Sequence, residues 1–390
     1  MKKNLLIILV VLLMLNTMFI SSFATVENTR CELKVEEHFD TDCENLSGNA
    51  SYSRWRTIKG LNAANADVEG ANGEKVRVED GKLIIPGGER VGAEFNIAAT
   101  NYDFGFNNLN SGGRQKADEY VFEFDAKLKG NESIYFHDGG TAYLKLRNNL
   151  SLYLDKSSDD VYIDASNDEF HHYKIAVRTE YYDAAGTKLE YVRSTGKLYY
   201  ENGDPAIVQS MYVKADVYVD GVCYAIDEVS SNLLTNPGVR QIKGFTAMTE
   251  SEIGNIEIDN IEVYYLDGEK RTDATFTFKN AAGKTVFNAD VASLNSDGNS
   301  LEVELRADGT QAEDEDASVF VVLFSADGVL KDVAIDSIGI AAGSIEKSSV
   351  SIEAPYFTDA DIAADDYITV FVWESNEKIP YAAERTITAE

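Results

Sequence analysis

NIEIDNIEVYYL, residues 255–266, carries two apolar parities in a single run. Ile256 and Ile258 share one face of a β-strand, while Ile261, Val263 and Tyr265 share the other. Strand side chains alternate faces with period two, so the change of parity requires one extra residue, a β-bulge. Asp259-Asn260 stands at the change, and both residue types tolerate irregular backbone. The reading is a bulged strand with Asp259 turned out of the core. It closes one aromatic-rich β unit, and the polar LDGEKRTD that follows opens a second, more acidic one.

Working outward, the first unit is β throughout. In Tyr120–Leu128, Phe122, Phe124, Ala126 and Leu128 alternate with Glu123, Asp125 and Lys127. Ala142, Leu144 and Leu146 alternate with Tyr143, Lys145 and Arg147. Tyr173, Ile175, Val177 and Tyr181 face inward, leaving His172, Lys174, Arg178, Glu180 and Tyr182 outside. Val213, Ala215, Val217 and Val219 alternate with Tyr212, Lys214, Asp216 and Tyr218, and Asp220-Gly221 predicts a type I′ hairpin to Val222–Ile226. Strands with one apolar and one polar face build an antiparallel sandwich or jelly roll.

Met1–Ala24 reads as a secretory signal peptide: Lys2 and Lys3, the apolar run Leu5–Leu15, then small residues at Ser22-Phe23-Ala24. Without it, 33 basic residues (35 less Lys2 and Lys3) face 66 acidic ones. That balance disfavours nucleic acid and anionic bilayers as partners and suits neutral glycans or calcium. The product is expected to be exported, extracellular and monomeric. Cys31, Cys43 and Cys223 are too few for a disulfide framework, although Cys31 and Cys43 are able to close a small N-terminal loop.

The order EEHFD (36–40), YVFEFDAKLKG (120–130), FHHYKIAVRTEYY (170–182), VYVDGVCY (217–224) and IDNIEVYY (258–265) resembles the concanavalin A-like lectin/glucanase jelly roll. The second unit carries 23 acidic against 7 basic residues over Thr272–Glu390. Its strands are expected at Ala274–Phe278, Leu301–Leu305, Ser318–Phe324, Leu330–Ile338, Ile345–Ile352 and Tyr367–Trp373. They suit an immunoglobulin-like or fibronectin III-like sandwich, and SVFVVLFSADGVLKDV with DDYITVFVWES resembles the accessory sandwiches of secreted bacterial glycan-active proteins, whose role is spacing. The expected organisation is all-β: signal peptide 1–24, N-terminal segment 25–35, jelly roll 36–268, linker 269–273 and Ig-like sandwich 274–390.

The lectin/glucanase resemblance implies a glycan as partner. Retaining glucanases of that superfamily carry ExDxxE on one strand. Here Glu123 and Asp125 fit, but Leu128 stands where the acid/base belongs, and a hydrocarbon side chain does no general acid chemistry. A lyase would need a cation and a proton acceptor, for which Tyr135, His137, Tyr143, Lys145 and Arg147 are the candidates. For binding alone, parity turns Tyr143, Arg147, Tyr182, Tyr212 and Tyr218 outward. The first four are candidates for one sugar-binding face, with Trp55 in the loop-like SYSRWRTIKG as its cap. Three readings stand: a non-catalytic glycan-binding protein, a lyase or divergent glycosidase, and a structural surface protein. The resemblance also implies a structural calcium between Glu37, Asp40 or Asp42 near the first strand and Asp259 at the bulge, with backbone carbonyls completing its oxygens.

Overall fold

A computed structural model of the chain describes residues 32–52, 55–59, 68–96, 119–137, 142–147, 151–154, 161–162, 169–192, 197–229, 244–266, 273–286, 289–307, 312–344, 347–358, 360–374 and 385–388. The segment assigned to a signal peptide lies outside them. The first unit runs β1 (Glu32–Glu37), β2 (Trp55–Lys59), β3 (Arg77–Glu79), β4 (Lys82–Pro86), β5 (Val91–Asn96), β6 (Glu119–His137), β7 (Ala142–Arg147), β8 (Ser151–Leu154) and β9 (Val161–Tyr162). It continues through β10 (His171–Tyr182), β11 (Lys188–Val192), β12 (Lys197–Tyr199), β13 (Ser210–Val219), β14 (Val222–Val229) and β15 (Gly244–Leu266).

β15 organises the unit. One edge pairs with β6 along almost its whole length; the other takes β5, then β4, then β1. The expected bulge is present. Asp259 faces Asp125 and Glu262 faces Glu123, so three steps on β15 oppose two on β6. Asn260 supplies the extra residue at φ +50°, in the left-handed region that Asn tolerates. Ile258 and Ile261, on either side, are both buried.

A larger break lies between Thr249 and Gly254, which face Glu132 and Gly130. It divides both long strands into two halves. The first half of β6 pairs with β10 and the second with β7. Side chains from both halves meet in one core, Phe122, Phe124 and Ala126 from one, Ile134, Phe95 and Ala247 from the other. The sheet therefore closes on itself as a jelly-roll-like sandwich. Thr249 secures the corner: its buried hydroxyl lies 2.9 Å from the Gly88 carbonyl and 3.1 Å from those of Pro86 and Val91. Gly92 is required beside it, because a Cβ there would stand 2.5 Å from the Ala247 oxygen.

The alternation read from sequence holds at every described inward position of β6, β10 and β13. Asp220-Gly221 forms the hairpin with φ of 51° and 81°, both positive as a type I′ turn demands. Cys43 and Cys223 are free thiols, and Cys31 lies outside the described residues.

The second unit has its own core, from Ala274 to Val372, between two sheets. One is ordered β16 (Asp273–Lys279), β17 (Ser300–Arg306), β20 (Lys347–Glu353). The other is ordered β19 (Leu330–Ile340), β18 (Glu315–Phe324), β21 (Tyr367–Glu374), β22 (Arg385–Thr388). Trp373 packs against Phe320 at 5.6 Å and Phe371 at 5.2 Å, buried on the outer face of this second sheet.

Candidate functional site

Register lays out the outer face of the β13-β10-β6-β15 half as rows crossing the strands. The middle row is Tyr264, Val121, Ala176 and Asp216, and all four are buried. Asp216 was expected to face solvent. It faces outward but is fully covered, because Arg306 of β17 reaches its two oxygens at 3.2 and 2.8 Å. Arg306 also bonds Asp273, which accepts from the Tyr218 hydroxyl as well. Lys347 adds a bond to the Ile226 carbonyl at 3.3 Å. Among the described residues the second unit thus sits on the middle of this face, and half-buried or exposed side chains lie toward each end.

One end carries Tyr182 and Tyr212. Their rings meet edge to face at 5.7 Å, both half-buried. Glu180 lies beneath, accepting from the Tyr182 hydroxyl at 2.6 Å and from Lys188 at 2.8 Å, with Lys214 at 3.0 Å. Burial works to raise this carboxyl, but the bonds from Lys188, Tyr182 and Lys214 outweigh it and hold it down at about 2. Glu180 was expected outside. It is buried because those three partners close over it.

The other end carries a hydrogen-bonded chain across four strands at the bulge. His172 on β10 meets Asp125 on β6 through Nδ1 at 2.8 Å. The Asn260 amide donates to the other Asp125 oxygen at 2.7 Å, which turns its carbonyl toward His38 Nδ1 at 3.1 Å. His38 Nε2 then meets Glu36 at 2.8 Å. With an acceptor at each ring nitrogen, Glu36 first and Asn260 second, the imidazolium is favoured and the His38 pKa rises. Asp259 is raised chiefly by burial, with Asp125 beside it adding to the effect. Alongside lie Asp220, which binds the His171 ring at 2.7 Å, and the exposed Phe170, whose ring has the Lys82 ammonium at 5.0 Å.

Of the residues proposed from sequence, Tyr182 and Tyr212 come together. Trp55 does not join them. It is no loop cap but the first residue of β2, packed in the core against Phe95 at 5.1 Å and Phe39 at 5.5 Å. The side chains of Tyr143 and Arg147, and that of His137, lie outside the described residues. The strand of Tyr143 and Arg147, β7, edges the second half of β6, which His137 ends, across the corner from β10. Tyr135 is buried, with Lys145 over its ring at 4.7 Å. Leu128 is in the core, so the third carboxylate of a glucanase triad has no place on this face. Among the described residues no three His, Cys, Asp or Glu side chains gather where a metal ion fits; Glu37, Asp40 and Asp259 do not form the expected calcium set. Asp259 Oδ1 instead accepts from the Asn260 backbone N–H at 2.7 Å.

No protein-family model matches the chain, and no curated protein matches it in sequence. Among solved structures it is similar to the Emp46p carbohydrate recognition domain in its metal-free form, at 13% identity and TM-score 0.27, over 59% of this chain and 98% of that one. The Trypanosoma cruzi (T. cruzi) calreticulin globular domain gives 9% identity and TM-score 0.27 over 60% and 88%. Bacteroides uniformis β-glucuronidase 2 gives 8% and 0.26 over 89% of this chain and 32% of that enzyme. Likenesses this slight carry no weight for the site.

Proposed function

We propose that the chain is an exported, non-catalytic glycan-binding protein: a jelly roll that holds the sugar, followed by an immunoglobulin-like sandwich. The observation that carries the reading is the Tyr182–Tyr212 pair at one end of the outer face. Two half-exposed rings offer apolar surface to the C–H face of a sugar, and Lys188 beside them is exposed to meet its hydroxyls. Both rings are positioned, since Glu180 fixes the Tyr182 hydroxyl and Tyr212 braces the Tyr182 ring. A net charge of −31 over the whole chain favours neutral glycans over acidic ones. The apolar Met1–Ala24 stretch with its basic start and small-residue end supports export. The test is a glycan array probed with the purified chain. Retention of neutral glycans that Tyr182→Ala and Tyr212→Ala each weaken supports the reading; an array with no retained glycan overturns it.

A further inference from the structure

We infer that the outer face carries a second glycan-contacting patch at the Asn260 bulge, built from Phe170, His172, Asp125 and Lys82 and suited to a neutral sugar. It rests on the glycan-binding reading above but on different residues: His172 and Tyr182 lie at opposite ends of β10, about 33 Å apart at roughly 3.3 Å per residue.

The hydrogen-bonded chain at the bulge is directional. An ionised Asp125 only accepts, so His172 Nδ1 carries the proton toward it and Asn260 donates with its amide nitrogen. These bonds use both oxygens of Asp125 and both polar atoms of Asn260. What remains is His172 Nε2, an outward ring nitrogen on a side chain half exposed to solvent. The network orients one outward ring nitrogen toward a sugar hydroxyl, which both donates and accepts, as a carboxylate orients a ligating or catalytic imidazole.

Phe170 supplies the apolar surface. It stands two residues before His172, just ahead of β10, and is 37% exposed, one of very few large apolar side chains to be so among the described residues. The Lys82 ammonium at its ring brings hydrogen-bond donors to the same place. The backbone is also unusual here. Phe39, next to His38, holds φ +52° with its ring in the core, a conformation costly for a bulky residue and concentrated at functional sites.

Charge selects the class of sugar. Glu36, Asp125, Asp259, Asp220 and Glu257 outnumber Lys82, Lys127 and His38 around the patch, so a uronate or sulfated sugar would meet net repulsion while a neutral one would not.

The experiment is calorimetric titration of the full chain with cellohexaose and mannohexaose, and with polygalacturonate as the acidic comparison. Phe170→Ala and His172→Ala are each expected to weaken one class of neutral-sugar sites about tenfold or more, or to halve the stoichiometry, while both variants remain folded at the titration temperature by circular dichroism. Tyr182→Ala removes the other class. If the parent binds and both bulge variants bind as the parent does, the second patch is refuted while the first reading stands. If the parent binds neither neutral hexasaccharide, both readings fall. A parent that prefers polygalacturonate overturns the assignment to neutral sugars.

Discussion

Arg306 and Asp216 belong to different units of the chain, yet the guanidinium grips the carboxylate through two nitrogens, at 3.2 and 2.8 Å. Neither is open to solvent: Asp216 is fully buried and Arg306 nearly so. The same guanidinium holds Asp273. Arg178 approaches Asp216 at 3.4 Å from the jelly-roll side. A buried ion cluster of this kind is a poor source of net stability, since desolvation consumes most of the attraction, but breaking it strands charge in a dry place.

Arg306→Met is therefore expected to cost about 3–5 kcal/mol, because two buried carboxylates lose their shared cation. Lys284→Met, on an exposed turn of the same unit, is expected to stay within about 0.5 kcal/mol of the parent. Urea unfolding of the two variants checks this. Equal midpoints would show that Arg306 does not bridge the units in solution.

Glu180 sets a pH dependence. Its folded value of about 2 lies below the ordinary carboxylate range. The stability it adds is therefore fully present above the unfolded value of about 4.3 and is lost as pH falls toward the folded one. Lys188 is 65% exposed and its share is screened by solvent, which leaves on the order of 1–3 kcal/mol for the carboxylate. Melting the parent and Glu180→Gln from about pH 5 down to pH 2 should show the gap between them closing. A gap constant with pH would place the effect in packing rather than charge.

Much of this architecture is local and so was open to reading. The parity change within NIEIDNIEVYYL located the bulge, since only neighbours along one strand decide it, and Asp220-Gly221 announced its turn for the same reason. The site was less legible. His38 and Asn260 are 222 residues apart and Arg306 and Asp216 are 90 apart, so nothing along the chain pairs them. Parity correctly turned Asp216 and Glu180 outward, but what covers an outward residue comes from elsewhere in the fold. Trp55 failed differently: polar neighbours suggested a loop, where two buried rings were waiting for it. A signal for the bulge chain was present in the two parities that turn Asp125 and His172 to one face.

The outer face should not hydrolyse β-glucans. Glu123 and Asp125 are already engaged, Glu123 by the Tyr264 hydroxyl at 2.8 Å and Asp125 by His172 and Asn260. Leu128, at the position of the acid/base, points into the core. Incubation of the chain with a mixed-linkage β-glucan should release no reducing ends. Release that disappears in Glu123→Gln would refute the assignment.

Asn260 tests backbone and side chain separately. At φ +50° it sits where a β-branched residue is strained, and its amide joins Asp125 to His38. Asn260→Gly keeps the backbone at ease and removes only the side-chain bonds. On an exposed residue those contribute about 0.5–1.5 kcal/mol each at most. Asn260→Val removes the same bonds and adds a left-handed penalty of about 1–3 kcal/mol. The valine variant should therefore melt below the glycine variant, which in turn melts below the parent. Both should also loosen His172, visible as loss of a single ring tautomer by nitrogen NMR, since Asp125 then has only the imidazole to hold it. Equal melting of the two variants would mean that the strand relaxes into regular register without Asn260, and the bulge would then not be what shapes this end of the face.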